Sequence, residues 1–159
     1  MTINVGDRLP KATLVKATAD GPEQVDTEIY FAGRTVALFA VPGAYTPTCS
    51  AKHLPSFVEQ AEALSAKGVD EIACTAVNDP FVLAAWAKAT GAEGITMLAD
   101  GNGDFAQALG LTADSSRFGM GTRSQRYSML VEDGVVRRLN VEQPGEYKVS
   151  GAEGLLASI

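Results

Sequence analysis

The chain has 159 residues, of which 46% are hydrophobic and 20% are charged, so it can bury a core of ordinary size. Its formal net charge of −6 argues against nucleic-acid binding, because such proteins need a surplus of lysine and arginine to neutralise phosphates. No apolar run approaches the roughly 20 residues that span a bilayer, and no secretory signal is visible at the start. We therefore expect a cytoplasmic protein with no nucleic-acid and no membrane partner.

The numbers of cysteines and histidines limit metal chemistry. The chain contains two cysteines and one histidine. A structural zinc site takes about four such ligands, so this chain could form one only with help from carboxylates. Without a secretory signal, two cysteines more often indicate reduced thiols or redox chemistry than a structural disulfide. No linker, repeat or low-complexity tract divides the sequence, which predicts a single domain over residues 1–159.

Short apolar runs predict the strands of the fold. Residues 35–41, 71–77 and 95–98 are almost wholly apolar, as expected of strands that are buried on both faces. Two further runs, 127–131 and 135–141, flank an Asp-Gly pair, which is a hairpin signal. The last two runs therefore predict a pair of antiparallel strands.

Helical patterns separate these runs. Residues 54–64 place apolar side chains at helical spacing, and Lys67-Gly68 is typical of a helix end. Asp79 followed by Pro80 is typical of a helix start, and this helix should reach about residue 90. Shorter helices are predicted over residues 104–109 and 152–157. The order of elements predicts an α/β fold with a mixed central β-sheet flanked by helices.

The segment 41–53 joins the first apolar strand to the first long helix. It contains helix-breaking prolines and a glycine, and Thr46 or Thr48 could cap the helix that follows. Cys49 then falls in the first helical turn, where free N–H groups and the positive end of the helix dipole stabilise a thiolate. A lone cysteine is more often a small buried hydrophobic residue, but this position favours reactivity. Pro55 should remove a hydrogen bond and kink the helix.

Three separated stretches carry a family resemblance. The run Pro42-Gly43-Ala44-Tyr45-Thr46-Pro47-Thr48-Cys49-Ser50 resembles the active-site signature of the peroxiredoxins, Pro-x-x-x-Thr-x-x-Cys. The stretches Cys49-Ser50-x-x-His53-Leu54-Pro55 and Arg123-Ser124-Gln125-Arg126-Tyr127-Ser128-Met129 are similar to the type II/type V branch in particular. The resemblance implies a thioredoxin-like fold and a thiol peroxidase with no cofactor. Such an enzyme reduces hydrogen peroxide and alkyl hydroperoxides through a cysteine sulfenic acid, in antioxidant defence.

The resemblance also implies a role for individual residues. Cys49 corresponds to the cysteine that attacks the peroxide, Thr46 to the threonine that meets it, and Pro42 to the proline that shields the site. Arg126 corresponds to the arginine that holds thiolate and peroxide, and Gly43 belongs to the substrate-binding set with Thr46, Cys49 and Arg126. Fixed donors suit this chemistry, because negative charge spreads over the sulfur and both oxygens. Taken alone, Thr46 could be a helix cap and Arg126 a surface residue on a strand edge.

Two residues allow more than one interpretation. Cys74 lies within a predicted strand and is either an inert buried thiol or a resolving cysteine that forms a disulfide with Cys49. His53 shares a helical face with Cys49 and is either a packing or hydrogen-bonding residue or half of a Cys–His pair. Some type V members carry a resolving cysteine near the C-terminus, where this chain has Val149-Ser150. The resemblance therefore implies an external reductant, either glutathione with glutaredoxin or thioredoxin.

A homodimer is a further implication of the resemblance. Its contacts are expected in the loops around the site, with Tyr45 and residues 119–122 as candidates. Two other functions are weaker hypotheses. Disulfide exchange of the thioredoxin kind would require Cys-x-x-Cys, and the run Thr46-Pro47-Thr48-Cys49 has only the last cysteine. A non-catalytic binding or redox-sensing module would leave Cys49 without peroxidase turnover.

Overall fold

The computed structural model describes residues 2–159, and nine strands and six α-helices lie within that range. The strands are β1 (Thr13–Thr18), β2 (Gly21–Asp26), β3 (Thr35–Ala40), β4 (Glu71–Ala76), β5 (Thr96–Ala99), β6 (Thr112–Asp114), β7 (Thr122–Ser124), β8 (Tyr127–Glu132) and β9 (Val135–Val141). The α-helices are α1 (Thr27–Tyr30), α2 (Leu54–Glu59), α3 (Ala61–Ala66), α4 (Pro80–Ala89), α5 (Asp104–Leu109) and α6 (Ala152–Ala157). A π-helical segment covers Cys49–His53, and a 3-10 helix covers Ser116–Phe118.

Seven of the strands form one mixed sheet in the order β2-β1-β5-β4-β3-β8-β9. Strands β3, β4 and β5 are parallel to one another, whereas β8 runs antiparallel to β3, and β9 antiparallel to β8. Strands β6 and β7 form a separate antiparallel pair. The central strands β3 and β4 are buried on both faces, which explains their unbroken apolar sequences. The predicted α/β fold with a mixed sheet is confirmed.

Helices cover both faces of this sheet and create two apolar cores. One core lies under α2, α3, α4 and α6, and its fully buried side chains include Phe39, Phe57 and Trp86. The other lies under α1 and α5, and it includes Phe105 and Tyr127. Successive residues of β3 alternate between the two cores, since side chains of a strand point to opposite faces. The first core contains both cysteines of the chain.

The N-terminal hairpin of β1 and β2 was not among the predicted strands. Its second strand has no fully buried residue, and its sequence Gly-Pro-Glu-Gln-Val-Asp is mostly polar. Such a strand has no apolar run or alternation that would reveal it, and its pairing with β1 places it in the sheet. Strand β1 in turn adds to the sheet edge beside β5.

One predicted helix start and the predicted hairpin turn are confirmed, whereas one predicted helix is not continuous. The Asp79 carboxylate accepts a hydrogen bond of 2.8 Å from the Val82 N–H at the start of α4, as its sequence indicates. The hairpin residues Asp133 and Gly134 have φ angles of 49° and 77°, the left-handed values that an Asp-Gly turn adopts. The predicted helix over residues 54–64 is instead divided at Gln60, whose ψ of 11° interrupts the helical backbone between α2 and α3.

The longest α-helix within residues 2–159 is α4, with ten residues. No helix in that range is long and apolar enough to cross a membrane. In the same range, no group of three or more histidine, cysteine, aspartate or glutamate side chains lies close enough together to hold a metal ion.

Candidate active site

The site lies at the carboxyl end of the central strand β3. A loop follows that strand, beginning with the half-buried Pro42 and ending where helical structure starts at Pro47. The Ala44 N–H donates a hydrogen bond of 2.9 Å to the side-chain oxygen of Asn78, which follows the neighbouring strand β4. This bond ties together the ends of two parallel strands, a common location for ligand sites in α/β folds. Cys49 lies in the first helical turn, as predicted.

The helix that carries Cys49 starts irregularly. Residues Cys49–His53 form a π-helical turn, and the Leu54 N–H donates to the Cys49 carbonyl, five residues back. The next residue, Pro55, has no N–H to donate and would clash with a regular preceding turn. The irregularity that Pro55 predicts therefore takes the form of a widened turn immediately before it. Such turns are frequent at functional sites.

Thr46 and Thr48 do not cap this helix with their side chains, so that part of the prediction is wrong. Thr48 makes no side-chain capping bond. The Thr46 hydroxyl instead donates to the Gly43 carbonyl at 2.7 Å, which orients it and leaves its lone pairs able to accept from a ligand. A Cβ atom on Gly43 would lie 3.1 Å from both Arg123 Nη1 and Met120 Cε. Only glycine therefore fits at this position of the loop without moving these side chains.

Arg126 reaches the sulfur of Cys49. It precedes β8, which pairs with β3, and its Nη2 donates to Cys49 Sγ at 3.1 Å. Cys49 is fully buried. Within residues 2–159, no carboxylate forms an ion pair with Arg126. The guanidinium charge is therefore available to a thiolate at Cys49, and its planar fork keeps a second nitrogen free for another partner.

That second partner is His53, whose ring is fully buried. Arg126 Nη1 lies 2.9 Å from His53 Nδ1, and His53 Nε2 lies 2.9 Å from the Ser150 carbonyl oxygen. A carbonyl can only accept, so Nε2 carries the proton and the Nδ1 lone pair accepts from Arg126. The hydrogen-bonding interpretation of His53 is confirmed. A Cys–His pair is not formed, because both ring nitrogens are engaged by other groups.

Aromatic rings surround His53 and remove it from water. The centroids of the Phe39, Tyr147 and Phe57 rings lie 4.9, 5.3 and 5.8 Å from that of His53. This burial, reinforced by the positive charge of Arg126, lowers the pKa of His53 from 6.5 to about 3. His53 is therefore neutral at physiological pH, as its role as an acceptor from Arg126 requires.

His53 should stay neutral well into the acid range, and this can be observed directly because it is the only histidine of the chain. We expect its ring ¹⁵N and Cε1–H signals to show no titration between pH 8 and about pH 4.5. In the folded state the His53 imidazole does not bind a second proton, whereas in the unfolded chain it binds one below about pH 6.5. The free energy of unfolding should therefore decrease by up to about 1.4 kcal/mol per pH unit from pH 6 to pH 5. A His53 midpoint near pH 6.5 in the folded protein would contradict this.

Cys74 lies on β4, where it is the register partner of Phe39 on the neighbouring strand. It is fully buried, and both cysteines are free thiols. Burial first, and the proximity of Cys49 second, raise the pKa of Cys74 well above its usual range. A thiol that stays protonated is a poor nucleophile, so this environment favours the inert interpretation of Cys74 over the resolving one.

Three residues near the site were missed by sequence reasoning: Glu142, Tyr147 and Ser150. They belong to the segment that follows β9, which contributes the carbonyl partner of His53 and a ring that lies over it. No motif marks them. The only local sign was an acidic residue directly after a predicted strand, which by itself carries no functional meaning.

Comparison with known proteins agrees with this geometry. The Redoxin family model matches residues 4–156. Peroxiredoxin-2E-2, chloroplastic, of Oryza sativa subsp. japonica is 49% identical over 164 residues, which cover 99% of this chain and 73% of that protein. The crystal structure of reduced Prx3 of Vibrio vulnificus with hydrogen peroxide has a TM-score of 0.95 and 52% identity over 99% of both chains. The antioxidant protein (1-Cys peroxiredoxin) of Plasmodium falciparum has a TM-score of 0.91 at 27% identity, over 96% of both chains.

The chain belongs to the redoxin family. Within it the relatives are peroxiredoxins, and the thioredoxin-like fold and the peroxiredoxin resemblance, type II/type V, are both confirmed. The protein is a thiol-dependent peroxidase with an antioxidant function, an oxidoreductase that acts on peroxides with a thiol reductant. The single domain over residues 1–159 and the cytoplasmic location stay predictions.

Proposed function

We propose that Cys49 is the residue that attacks the peroxide, in a pocket formed by Arg126, Thr46, Gly43 and Pro42. The observation that carries this proposal is the 3.1 Å contact between Arg126 Nη2 and Cys49 Sγ in a buried site. Removing charges from water strengthens such a contact, because the effective dielectric constant is low there. Thr46 supports the assignment, since its oriented hydroxyl can accept the O–H of a hydroperoxide.

In the proposed first step the Cys49 thiolate attacks the terminal, protonated oxygen of ROOH. The S–O bond forms as the O–O bond breaks, so Cys49 is oxidised to a sulfenic acid and the peroxide is reduced. The leaving RO⁻ takes a proton from solvent and departs as an alcohol, or as water when the substrate is hydrogen peroxide. Arg126 stabilises the charge that spreads over the sulfur and the two oxygens in the transition state.

We further infer that an external thiol reduces the sulfenic acid. Glutathione with glutaredoxin is the preferred reductant of this proposal, and thioredoxin is the alternative. A first thiol condenses with Cys49–SOH and releases water, and a second thiol then displaces Cys49 from the mixed disulfide. The buried, protonated Cys74 supports reduction by an external thiol, since it is the only other cysteine of the chain. The similarity to a protein described as a 1-Cys peroxiredoxin supports it as well.

A homodimer packed through the loops at the mouth of the site is the remaining part of the proposal. Tyr45 is 54% exposed and Phe118 is 68% exposed, and exposed apolar side chains that lie together mark interaction surfaces. Met120, two residues after Phe118, lies close to Gly43, so the loops that carry Tyr45 and Phe118 pack against each other. Sedimentation of the reduced protein at micromolar concentration should show a species of twice 16.6 kDa, and a species near 16.6 kDa alone would contradict it.

Intact mass after a sub-stoichiometric addition of hydrogen peroxide tests the assignment of Cys49. We expect a rapid gain in mass of one oxygen atom per oxidised chain. In a parallel sample, a reagent specific for sulfenic acids should label Cys49. Cys74→Ser serves as the matched control, because its single thiol must account for the whole gain. Labelling at Cys74, or a mass that does not change in a folded protein, would contradict the assignment of Cys49 as the residue that attacks the peroxide.

The reductant can be identified by comparing two coupled systems. Glutathione with glutaredoxin should support faster turnover of the wild-type protein than thioredoxin with thioredoxin reductase. The reason is that the Cys49 sulfur is fully buried, and glutathione is far smaller than thioredoxin. A higher kcat/KM with thioredoxin would reverse the proposed order.

A further inference from the structure

One buried carboxylate organises the segment behind the site. Glu142 follows β9, and its side chain is directed into the turn formed by residues 143–150. Glu142 Oε2 accepts from the Lys148, Val149 and Ser150 N–H groups at 2.8, 2.8 and 2.7 Å, and from Ser150 Oγ at 2.7 Å. Glu142 Oε1 lies 2.9 Å from the same Lys148 N–H. The residue is only 6% exposed, so these bonds are largely shielded from water.

All four groups that face this carboxylate are donors, which explains why an acidic residue stands here. A carboxylate only accepts, whereas an amide would have to place its own NH₂ against one of these N–H groups. Burial raises the pKa of Glu142, but the bonds from Ser150, Lys148 and Val149 outweigh it, and the pKa is lower than usual. Glu142 is therefore ionised at neutral pH, and its hydrogen bonds are charge-assisted.

The backbone of the same residue connects to the site. The Glu142 N–H donates to the Arg126 carbonyl at 2.9 Å, and the Ser150 carbonyl accepts from His53 Nε2. Glu142 thus contacts the main chain of Arg126 on one side and holds the partner of His53 on the other. Arg126 and His53 are the two partners of the hydrogen bond between Nη1 and Nδ1, so Glu142 is connected to both of them.

We propose that Glu142 is a positioning residue for the peroxidase reaction, because it holds the Ser150 carbonyl where that carbonyl fixes the Nε2–H form of His53. With Nε2 protonated, Nδ1 accepts from Arg126 Nη1, and Arg126 Nη2 is then directed at Cys49 Sγ. In the other tautomer, Nδ1–H would face an Arg126 N–H, and two donors cannot share a hydrogen bond. This inference rests on the proposed function, since it assumes that Arg126 acts on the peroxide.

Glu142→Gln tests the inference with little change in shape. We expect kcat/KM for hydrogen peroxide to fall about tenfold, since small displacements of a catalytic group have effects of this size or more. The ring ¹⁵N shifts of His53, the only histidine, should move from the pure Nε2–H pattern toward an average of both tautomers. A merely structural role would lower the melting temperature and leave this tautomer signature unchanged.

Glu146→Gln is the matched control, since it removes the same charge from the same segment, where Glu146 pairs with the largely exposed Lys148. It should leave both readouts unchanged. If Glu142→Gln does not fold, Ser150→Ala replaces it, because it deletes one bond to Oε2 and keeps the carbonyl. An intermediate loss of kcat/KM and a smaller ¹⁵N change are expected there. An unchanged tautomer in the variant that is measured overturns the proposal.

The failure of this inference can be distinguished from failure of the proposed function. If the wild-type protein turns over peroxide but Glu142→Gln keeps its full kcat/KM, only the positioning role is wrong. If peroxide does not oxidise Cys49 in the wild-type protein, the proposed function is wrong, and with it any role of Glu142 in that reaction. The tautomer of His53 in the variant is informative in both cases, because it requires no substrate.

Discussion

Cys49→Ser should abolish peroxidase turnover with every reductant, by more than about 10³-fold, whereas Cys74→Ser should retain most of the wild-type rate. A serine hydroxyl is not ionised near neutral pH and is a far weaker nucleophile than a thiolate. Arg126 Nη2 would still have an oxygen to contact in place of Sγ, so the fold and the pocket should persist. The measurement is the steady-state consumption of hydrogen peroxide with each coupled reductant system.

Cys74→Ser is the decisive comparison, because both cysteines belong to the same apolar core. A disulfide between them requires Cα atoms within about 7 Å and suitably directed Cβ atoms. Cys49 is held in a helical turn and Cys74 in a central strand of the sheet, so bridging them would disrupt packed structure. If Cys74→Ser loses turnover with every reductant while remaining folded, Cys74 resolves the sulfenic acid and the one-cysteine interpretation is wrong.

Arg126→Lys should reduce kcat/KM for hydrogen peroxide on the order of 10²–10³-fold and change the melting temperature little. Lysine keeps the positive charge but loses the planar fork. Arg126 uses Nη1 on His53 and Nη2 on Cys49 at the same time, and a single ammonium group on a flexible stem cannot hold both in this geometry. The expected loss is therefore in transition-state stabilisation, measured as kcat/KM.

Arg137→Lys provides the control for this substitution. Arg137 lies on β9 and pairs with Glu132, and both side chains are about half exposed. Ion pairs of this kind contribute little to stability, so neither activity nor melting temperature should change measurably. Equal losses of activity and stability in Arg126→Lys would instead mean that Arg126 supports the fold rather than the reaction.

Local sequence determined most of the secondary structure near the site. The strands β3 and β4 were predictable because they are buried on both faces and therefore apolar throughout. The start of α4 and the β8–β9 hairpin were predictable because Asp79 and the Asp-Gly pair act on backbone within three residues of themselves. The same local rules placed Cys49 in a first helical turn. They failed for β2, where pairing with a neighbour replaces any local signal.

Contacts across the sheet were decided only by the tertiary structure. Arg126 reaches Cys49 across 77 positions of the chain, since β8 is the neighbour of β3 in the sheet. The family resemblance predicted that pair, but not what orients it. His53 meets the Ser150 carbonyl across 97 positions, and that contact requires the proton on Nε2. Hydrogen bonds require placement within tenths of an ångström, which no spacing along a sequence specifies. The sequence by itself therefore determined which residues we propose to react, and the packing of the segment after β9 decided how their side chains are oriented.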